Sequence, residues 1–424
     1  MRVLLVGGGG REHALAWKMA QSPRLTRLIA APGNPGIRHH AECVAIKDTA
    51  VEDLVGLARR ERIDLAVVGP EVPLSLGLGD RLREAGLGVF GCSQAAARLE
   101  SSKAFSKGVM ARYGIPTARF GTFTDAAAAR RFCRELGAPL VVKADGLAAG
   151  KGAMICRTLE EADEAVRLCL EAAVFGAAGR TVVIEEFMEG EEASFFVISD
   201  GEHVLPLLAA QDHKTIFDDD RGPMTGGMGA YSPVPAMDDA LTRRVMEEIA
   251  TPVLAAMARE GARYAGVLFV QIMITKDGPR VVEFNCRFGD PECQAILPLL
   301  DQDILPLFEA VAQGRGLPAS VRWRAGSSVC VVLASHGYPG TTRSGDEISG
   351  VDAAGGLPGV NVFQAGTAER DGRLVTAGGR VLGVQAMGAD IRSAIAAAYA
   401  GVDRIRFDGM QLRRDIGRRA VNRA

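Results

Sequence analysis

The stretch VLFVQIMITKDGPRVVEFNCRFGDPECQ, residues 267–294, governs how the rest of the chain is read. Two apolar, β-branched runs flank Lys276-Asp277-Gly278, so Val267–Asn285 is predicted to form a β-hairpin. A three-residue loop with Gly278 in a left-handed conformation pairs Thr275 with Pro279, and hence Gln271 with Glu283. Side chains alternate across a strand, so Glu283, Asn285 and Arg287 share one face and Phe284 and Cys286 the other. A carboxylate beside an amide oxygen is hard-ligand chemistry suited to Mg2+ or a similar cation, held by one or two carboxylates together with substrate phosphates. Gln271, opposite Glu283, is a third candidate beside the metal. A solvated strand face would show the same alternation. The run passes straight into Phe288-Gly289-Asp290-Pro291-Glu292, however, a polar turn unlike an ordinary strand end.

Working outward, Gly146–Gly152 (GLAAGKG) lies between predicted strands Leu140–Lys143 and Ala153–Cys156. It is not a Walker A loop, because the spacing is one residue short and Gly152 stands where the metal-binding hydroxyl belongs. What remains is a hairpin tip bearing Lys151, able to fold over phosphates and exclude water. Lys143 adds a second cation. Farther on, Gln211-Asp212-His213-Lys214 sets an acid, an imidazole and an amine together, and Thr225–Ala230 is glycine-rich. The whole of Gln211–Pro235 shows little periodicity and is predicted to be a long functional loop. Asp218-Asp219-Asp220 within it is read as solvated.

At the N-terminal end, strand Val3–Val6, turn Gly7–Gly10 and helix Arg11–Gln21 are followed by further alternating elements: strand Leu28–Ala30, helix Val51–Arg60, strand Leu65–Val68, helix Leu76–Ala85 and strand Val89–Phe90. That alternation implies a parallel, doubly wound sheet whose strand C-termini face a ligand. The glycine turn opens a helix and can hold an anion on its N–H groups. It is not a dinucleotide fingerprint, since Glu12 or His13 falls where the last glycine is required.

The bulk properties narrow the classes. With 49 basic and 51 acidic residues and no long basic run, a nucleic-acid partner is not expected. No apolar run approaches the roughly 18 residues of a membrane span, and the N-terminal apolar run is too short for a signal peptide. Eight scattered cysteines without a C-x-x-C pair fit reduced thiols and a cytoplasmic setting.

Together these motifs resemble the phosphoribosylamine–glycine ligase (glycinamide ribonucleotide synthetase) family of the ATP-grasp superfamily. The run Arg287–Gln294 (RFGDPECQ) is similar to its signature. Gly8–Ala14 (GGGREHA), Ala31–Asn34 (APGN), Val68–Glu71 (VGPE), Lys143–Gly152 (KADGLAAGKG), Glu185–Ala193 (EEFMEGEEA), Gln211–Lys214 (QDHK) and Gly222–Pro233 (GPMTGGMGAYSP) follow the family's order. The resemblance implies an N-terminal Rossmann-like, phosphoribosyl-binding domain over 1–101. It implies a two-lobed α+β ATP-grasp core over 102–325, with a nucleotide lobe near 115–190 and a metal-binding lobe near 191–325. A small α+β C-terminal domain over 326–424 completes the α/β chain.

The resemblance also implies roles. Lys103, Lys143, Gly150 and Lys151 would meet the ATP phosphates; Glu185, Glu186, Phe187 and Met188 would line adenine; Glu192 would reach the ribose. Glu283 and Asn285 would hold Mg2+ or Mn2+. Asp212, Lys214 and Arg287 would be catalytic where glycine meets 5-phosphoribosylamine, with Gly227, Asp290 and Pro291 close by. Gly9, Gly10, Arg11, Glu12, His13, Asn34, Pro70 and Glu71 would bind the phosphoribosyl substrate. Gln271 departs from the pattern, standing where the family has glycine and where related ATP-grasp enzymes place an acidic ligand. The expected activity is ATP-dependent carbon–nitrogen ligation in purine synthesis by a monomer, with ATP, glycine and 5-phosphoribosylamine as small-molecule partners. Another ATP-grasp purine enzyme, a nicotinamide oxidoreductase and a non-catalytic nucleotide sensor stay open as alternatives. The run after Arg287, the broken fingerprint and the metal pair with its two lysines weigh against them in turn.

Overall fold

The computed structural model describes residues 1–147, 152–172 and 174–423. Gly150 and Lys151 therefore lie outside the described residues, and with them most of the expected phosphate-covering tip.

The apolar run at the start of the chain does form a strand, Arg2–Gly7, whose core residues Val3 to Val6 are fully buried. Burial on both faces is what a central parallel strand requires. It pairs in parallel with Arg27–Pro32 on one side and Leu65–Val68 on the other. The five-stranded sheet is completed by Glu42–Cys43 and Gly88–Phe90 at its edges. Strand order reverses between Arg2–Gly7 and Leu65–Val68, and the loops Gly8–Gly10 and Gly69–Glu71 leave from that point. The helix expected over Leu76–Ala85 is present as Leu78–Glu84, and an unexpected short helix, Glu71–Ser75, precedes it. Gly77, at φ 85°, separates the two.

The middle of the chain forms two antiparallel sheets. The smaller has the order Phe120–Phe123, Val182–Glu186, Leu140–Ala144, Ala153–Cys156. Helices Ala126–Leu136 and Leu159–Val166 cover it, and a separate apolar cluster including Leu140, Val142, Val166 and Ile184 closes this lobe. The larger has the order Val204–Pro206, Glu191–Ser199, Gly266–Thr275, Gly278–Asn285.

The predicted hairpin is present, but its turn is different. Thr275 pairs with Gly278, so the loop is Lys276-Asp277 alone, and Ile274 rather than Thr275 faces Pro279. That register would set Gln271 against Val282. A bulge between Gln271 and Ile272 restores the expected Gln271–Glu283 pairing. Two departures cancel: the shorter turn shifts the partner strand by one residue and the bulge shifts it back.

Gln211–Pro235 is not a loop in the expected sense. It contains strands Gln211–Asp212, Thr215–Phe217, Arg221–Met224 and Gly229–Ser232. The middle two form a small hairpin; the outer two join a five-stranded sheet with Ser327–Ala334, Arg380–Gly388 and Val360–Gln364. Short strands whose partners lie a hundred residues downstream leave no periodic trace of their own. The expected division at residue 326 accordingly runs through one continuous sheet. Helix Ile391–Val402 packs on that sheet. Among the described residues no helix is long and apolar enough to cross a membrane.

Candidate active site

A cavity of about 630 Å³ is lined by residues from the N-terminal unit, both antiparallel sheets and the C-terminal sheet. On its nucleotide side, Val141 pairs with Glu185 across neighbouring strands, which puts Lys143 diagonally beside the Glu185 carboxylate. Lys143 Nζ lies 2.9 Å from Oε1 and Lys107 Nζ 2.9 Å from Oε2. Burial pushes the Glu185 carboxyl up, but the two lysines outweigh it and hold the carboxyl below its ordinary value. Burial takes the Lys107 ammonium down to about 8. Lys107 is absent from the sequence expectations, yet it was legible: it sits one helical turn after Lys103 on Lys103–Tyr113 and so shares its face. Glu186, Phe187 and Met188 line the same wall, together with Val141, Ile155 and Met273.

Opposite stands the hairpin face. Glu283 and Asn285 both line the cavity. Burial raises the Glu283 carboxyl, but Lys143, Lys214, Lys103 and Arg287 together hold it below its ordinary value. An ionised carboxylate and an amide oxygen that face lysines are a donor set that would hold a divalent cation, which would offset phosphate charge there. No cluster of three or more His, Cys, Asp or Glu suited to a metal occurs among the described residues, so phosphate oxygens and water would complete the shell. Gln271 does not serve Glu283, despite facing it in register. Its Nε2 donates to Glu192 Oε2 at 2.9 Å. Lys214 Nζ is 3.3 Å from the same oxygen and 4.0 Å from Asp212 Oδ2. Asp212, Glu192, Glu283 and Glu292 together hold this ammonium above its ordinary range against burial. Burial takes the Asp212 carboxyl up to about 7, Lys214 opposing and Glu292 and Glu192 adding to the rise.

The third side belongs to Arg287. Its guanidinium lies 3.3 Å from Glu71 and 2.9 Å from Glu100, joining the N-terminal sheet to the hairpin. Burial lifts the Glu100 carboxyl to about 7 despite the arginine. Asp290 accepts from the Arg11 amide at 3.1 Å and from Gln294 Nε2 at 2.9 Å, and Arg380 Nη1 lies 3.6 Å away. Arg380 also donates to Gly226 O at 2.6 Å and Asp290 O at 2.5 Å, tying the C-terminal sheet to both loops. Glu100, Glu292 and Arg380 line the cavity and were not anticipated. Glu292 lies inside the quoted signature; Arg380 gave no local signal, since its role depends on a strand pairing almost fifty residues away.

Several expected site residues support the cavity rather than line it. Glu12 accepts from the Gly9 amide at 2.7 Å and from Arg11 Nε at 2.7 Å, capping its helix. His13 is buried, and its Nδ1 accepts the Gln364 amide at 2.7 Å. Burial drops its imidazole to about 3, with His40 and His39 adding, so it is neutral. Asn34 gives its amide to Gly8 O and Gln364 O and accepts from Ile37 N. A Cβ on Gly10 would meet Gln294 Nε2 at 2.5 Å, and one on Gly9 would meet Glu12 Oε2 at 2.8 Å, so either would displace a side chain that braces the turn. Gly227, at φ 112°, packs on Pro291, where a Cβ would meet Cδ at 2.6 Å. Pro70 caps Glu71–Ser75 and so directs Glu71. Arg11 and Glu71 alone of the expected phosphoribosyl-side group line the cavity.

Residues 1–100, 101–293 and 328–419 match the N, ATP-grasp (A) and C domains of phosphoribosylglycinamide synthetase. The chain is 52% identical to the phosphoribosylamine–glycine ligase of Mesorhizobium japonicum over 423 residues, covering 100% of this chain and 99% of that protein. It is 51% identical to that of Caulobacter vibrioides, covering 99% of each. The crystal structure of the Thermotoga maritima phosphoribosylamine–glycine ligase superposes with a TM-score of 0.86 at 33% identity, over 98% of this chain and 100% of that one. A biotin carboxylase from Campylobacter jejuni, 17% identical with a TM-score of 0.75 over 97% and 92% of the two chains, shares the fold. The chain therefore belongs to the phosphoribosylglycinamide synthetase family.

Proposed function

We propose that the protein is an ATP-dependent ligase that joins glycine to 5-phosphoribosylamine, releasing glycinamide ribonucleotide, ADP and phosphate. The observation that carries the reading is the single cavity faced by Lys103 and Lys143, by Glu283 and Asn285, and by Arg287 with Asp290. Family membership supplies the substrates; the cavity supplies a chemistry that fits them.

ATP lies along the wall from Met188 to Lys143, its phosphates toward Lys103 and Lys143. Glu283 and Asn285 would hold Mg2+ or Mn2+, which offsets charge between phosphate oxygens and the attacking carboxylate. The carboxylate of glycine attacks the γ-phosphorus, the bond to the β-phosphate oxygen breaks, and ADP leaves. The acidic surplus of Asp212 and Glu292 around Lys214 suits the glycine ammonium. The resulting acyl phosphate is open to hydrolysis, so the cavity must exclude water. The amine of phosphoribosylamine then attacks the acyl carbon from the Arg11 and Glu71 side. Arg287, held by Glu71 and Glu100, supports the oxyanion. Phosphate departs and the amide remains. Eight unpaired cysteines, seven of them buried, support a reducing, cytoplasmic setting, and the proposed active unit is a monomer.

The test is ADP release from ATP and phosphoribosylamine with and without glycine. Glycine-dependent ADP and glycinamide ribonucleotide in equal amounts support the reading. ADP release indifferent to glycine would refute it.

A further inference from the structure

The acid run Asp218-Asp219-Asp220 is partly exposed, as its sequence suggests, yet it is not idle. All three carboxylates are engaged by the segment Arg413–Arg419 near the C-terminal end. Arg414 N donates to Asp218 Oδ1 at 2.8 Å, and Arg418 pairs with Asp219. Asp220 takes Arg413 Nη1 at 3.0 Å and Arg419 Nη2 at 2.6 Å. Asp219 and Asp220 stand at φ 59° and 54°, a left-handed backbone that an ordinary residue keeps only under restraint.

The two arginines reach further than the acid run. Asp415 grips Arg413 at two points, Nε and Nη2, both at 2.7 Å, which fixes the plane of a guanidinium whose side chain is only 1% exposed. Its remaining nitrogen, Nη1, donates to Thr215 Oγ1 at 2.8 Å and to Thr215 O at 3.3 Å. Arg419 Nη1 donates to Asp212 O at 3.4 Å. Strand Gln211–Asp212 is two residues long and lies at the edge of its sheet. Carbonyls at such an edge need partners from outside the ladder. Arg419 supplies one at Asp212, and Arg413 holds Thr215 in the adjoining hairpin, so the two grips flank His213 and Lys214.

We propose that Arg413 and Arg419 are positioning residues that set the backbone of Asp212–Thr215, and so aim Asp212 and Lys214 into the cavity, while touching no substrate themselves. The inference rests on the reading of Asp212 and Lys214 as substrate-facing. It makes the C-terminal segment, outside the cavity, a determinant of glycine use.

The test uses the full chain. Arg413 is left intact, because its removal would strand Asp415 in the interior. Arg419→Ala and Asp220→Asn each loosen the grip at exposed atoms. Arg414→Ala is the control, since that side chain pairs with Asp403 on the surface. Glycine-dependent ADP release gives kcat and KM, equilibrium titration gives ADP affinity, and melting gives the thermal midpoint. The expected result is a loss in kcat/KM for glycine on the order of 10–100-fold in both test variants, as small displacements of reacting groups cost. ADP affinity and midpoint stay those of the control. Unchanged glycine kinetics overturn the proposal. So does a loss shared with ADP affinity or with the midpoint, which marks a general structural role. Failure of the functional reading shows separately, as absence of glycine-dependent ADP release in the unmodified protein, and takes the proposal with it.

Discussion

The hairpin Gly266–Asn285 and the segment Gln211–Ser232 each bring two charged or polar ligating groups to the cavity, and they are held by opposite means. The hairpin closes on itself: Thr275 meets Gly278 across a two-residue turn, and each later pair follows from that one, with a single bulge. Glu283 and Asn285 owe their placement to neighbours within about a dozen residues. Asp212 and Lys214 owe theirs to Ser327–Ala334, which pairs with Gly229–Ser232, and to Arg413 and Arg419, some two hundred residues on. One half of the site is templated locally; the other is assembled only when the C-terminal sheet forms. Substitutions in the first should alter chemistry without loosening the fold, whereas the second ties chemistry to long-range packing.

The sharpest way to break this comparison is at the hairpin. Glu283→Gln should lower kcat on the order of 10²–10³-fold, by analogy with the loss of one preorganised electrostatic contact to a transition state, and leave circular dichroism unchanged. Asn285→Ala should do the same to a lesser degree. Near-normal turnover of both at limiting Mg2+ would remove the metal assignment.

On the other side, Asp212→Asn should act through pH. Burial raises this carboxyl from its ordinary 3.8 to about 7, so its neutral form is favoured in the folded protein. That contribution to stability is present in full below about pH 4 and is lost as pH rises through about 7. Metal-free wild type should therefore lose stability relative to Asp212→Asn between about pH 4 and pH 7. Parallel melting curves across that range would show that Asp212 titrates normally.

A smaller effect is expected from Gln271→Gly. Its amide serves Glu192 rather than Glu283, so the Mg2+ activation curve should not move. A hydrogen bond to a charged group is worth ~1.5 kcal/mol, which predicts a KM for ATP raised about tenfold. A shifted Mg2+ midpoint with unchanged ATP kinetics would return Gln271 to the metal. The mildest test is hydrogen exchange. Amides of Gly266–Asn285 should exchange only through global unfolding, and those of Thr215–Met224, an exposed two-stranded hairpin, through local opening. Equal protection of the two would erase the distinction drawn here.

How legible each part was follows from the same contrast. Val3–Val6, Leu65–Val68 and Val51–Arg60 could be read directly, because a buried run or an amphipathic turn is recorded in consecutive residues. The Gln271–Glu283 pairing came out as expected for a partly mistaken reason, since the turn is one residue shorter and a bulge compensates. His13 and Asn34 belong to conspicuous motifs, yet their polar atoms are spent on Gln364 and Gly8, and motif membership does not distinguish a ligand from a brace. Lys107 was available from helix periodicity. Glu100 and Arg380 were not, because each lines the cavity only after another sheet has docked.

By itself, then, the order of residues determined the three-part architecture, the shared face of Glu283 and Asn285 and the family, all of which depend on short-range pattern. Only the tertiary structure decided that Gln271 turns to Glu192, that Arg287 is shared by Glu71 and Glu100, and that an acid run pairs with arginines some two hundred residues on. The physical reason is that a charged side chain takes whichever opposite charge or free carbonyl the packed fold brings within about 3 Å. That neighbour is set by docking of sheets, not by adjacency along the chain.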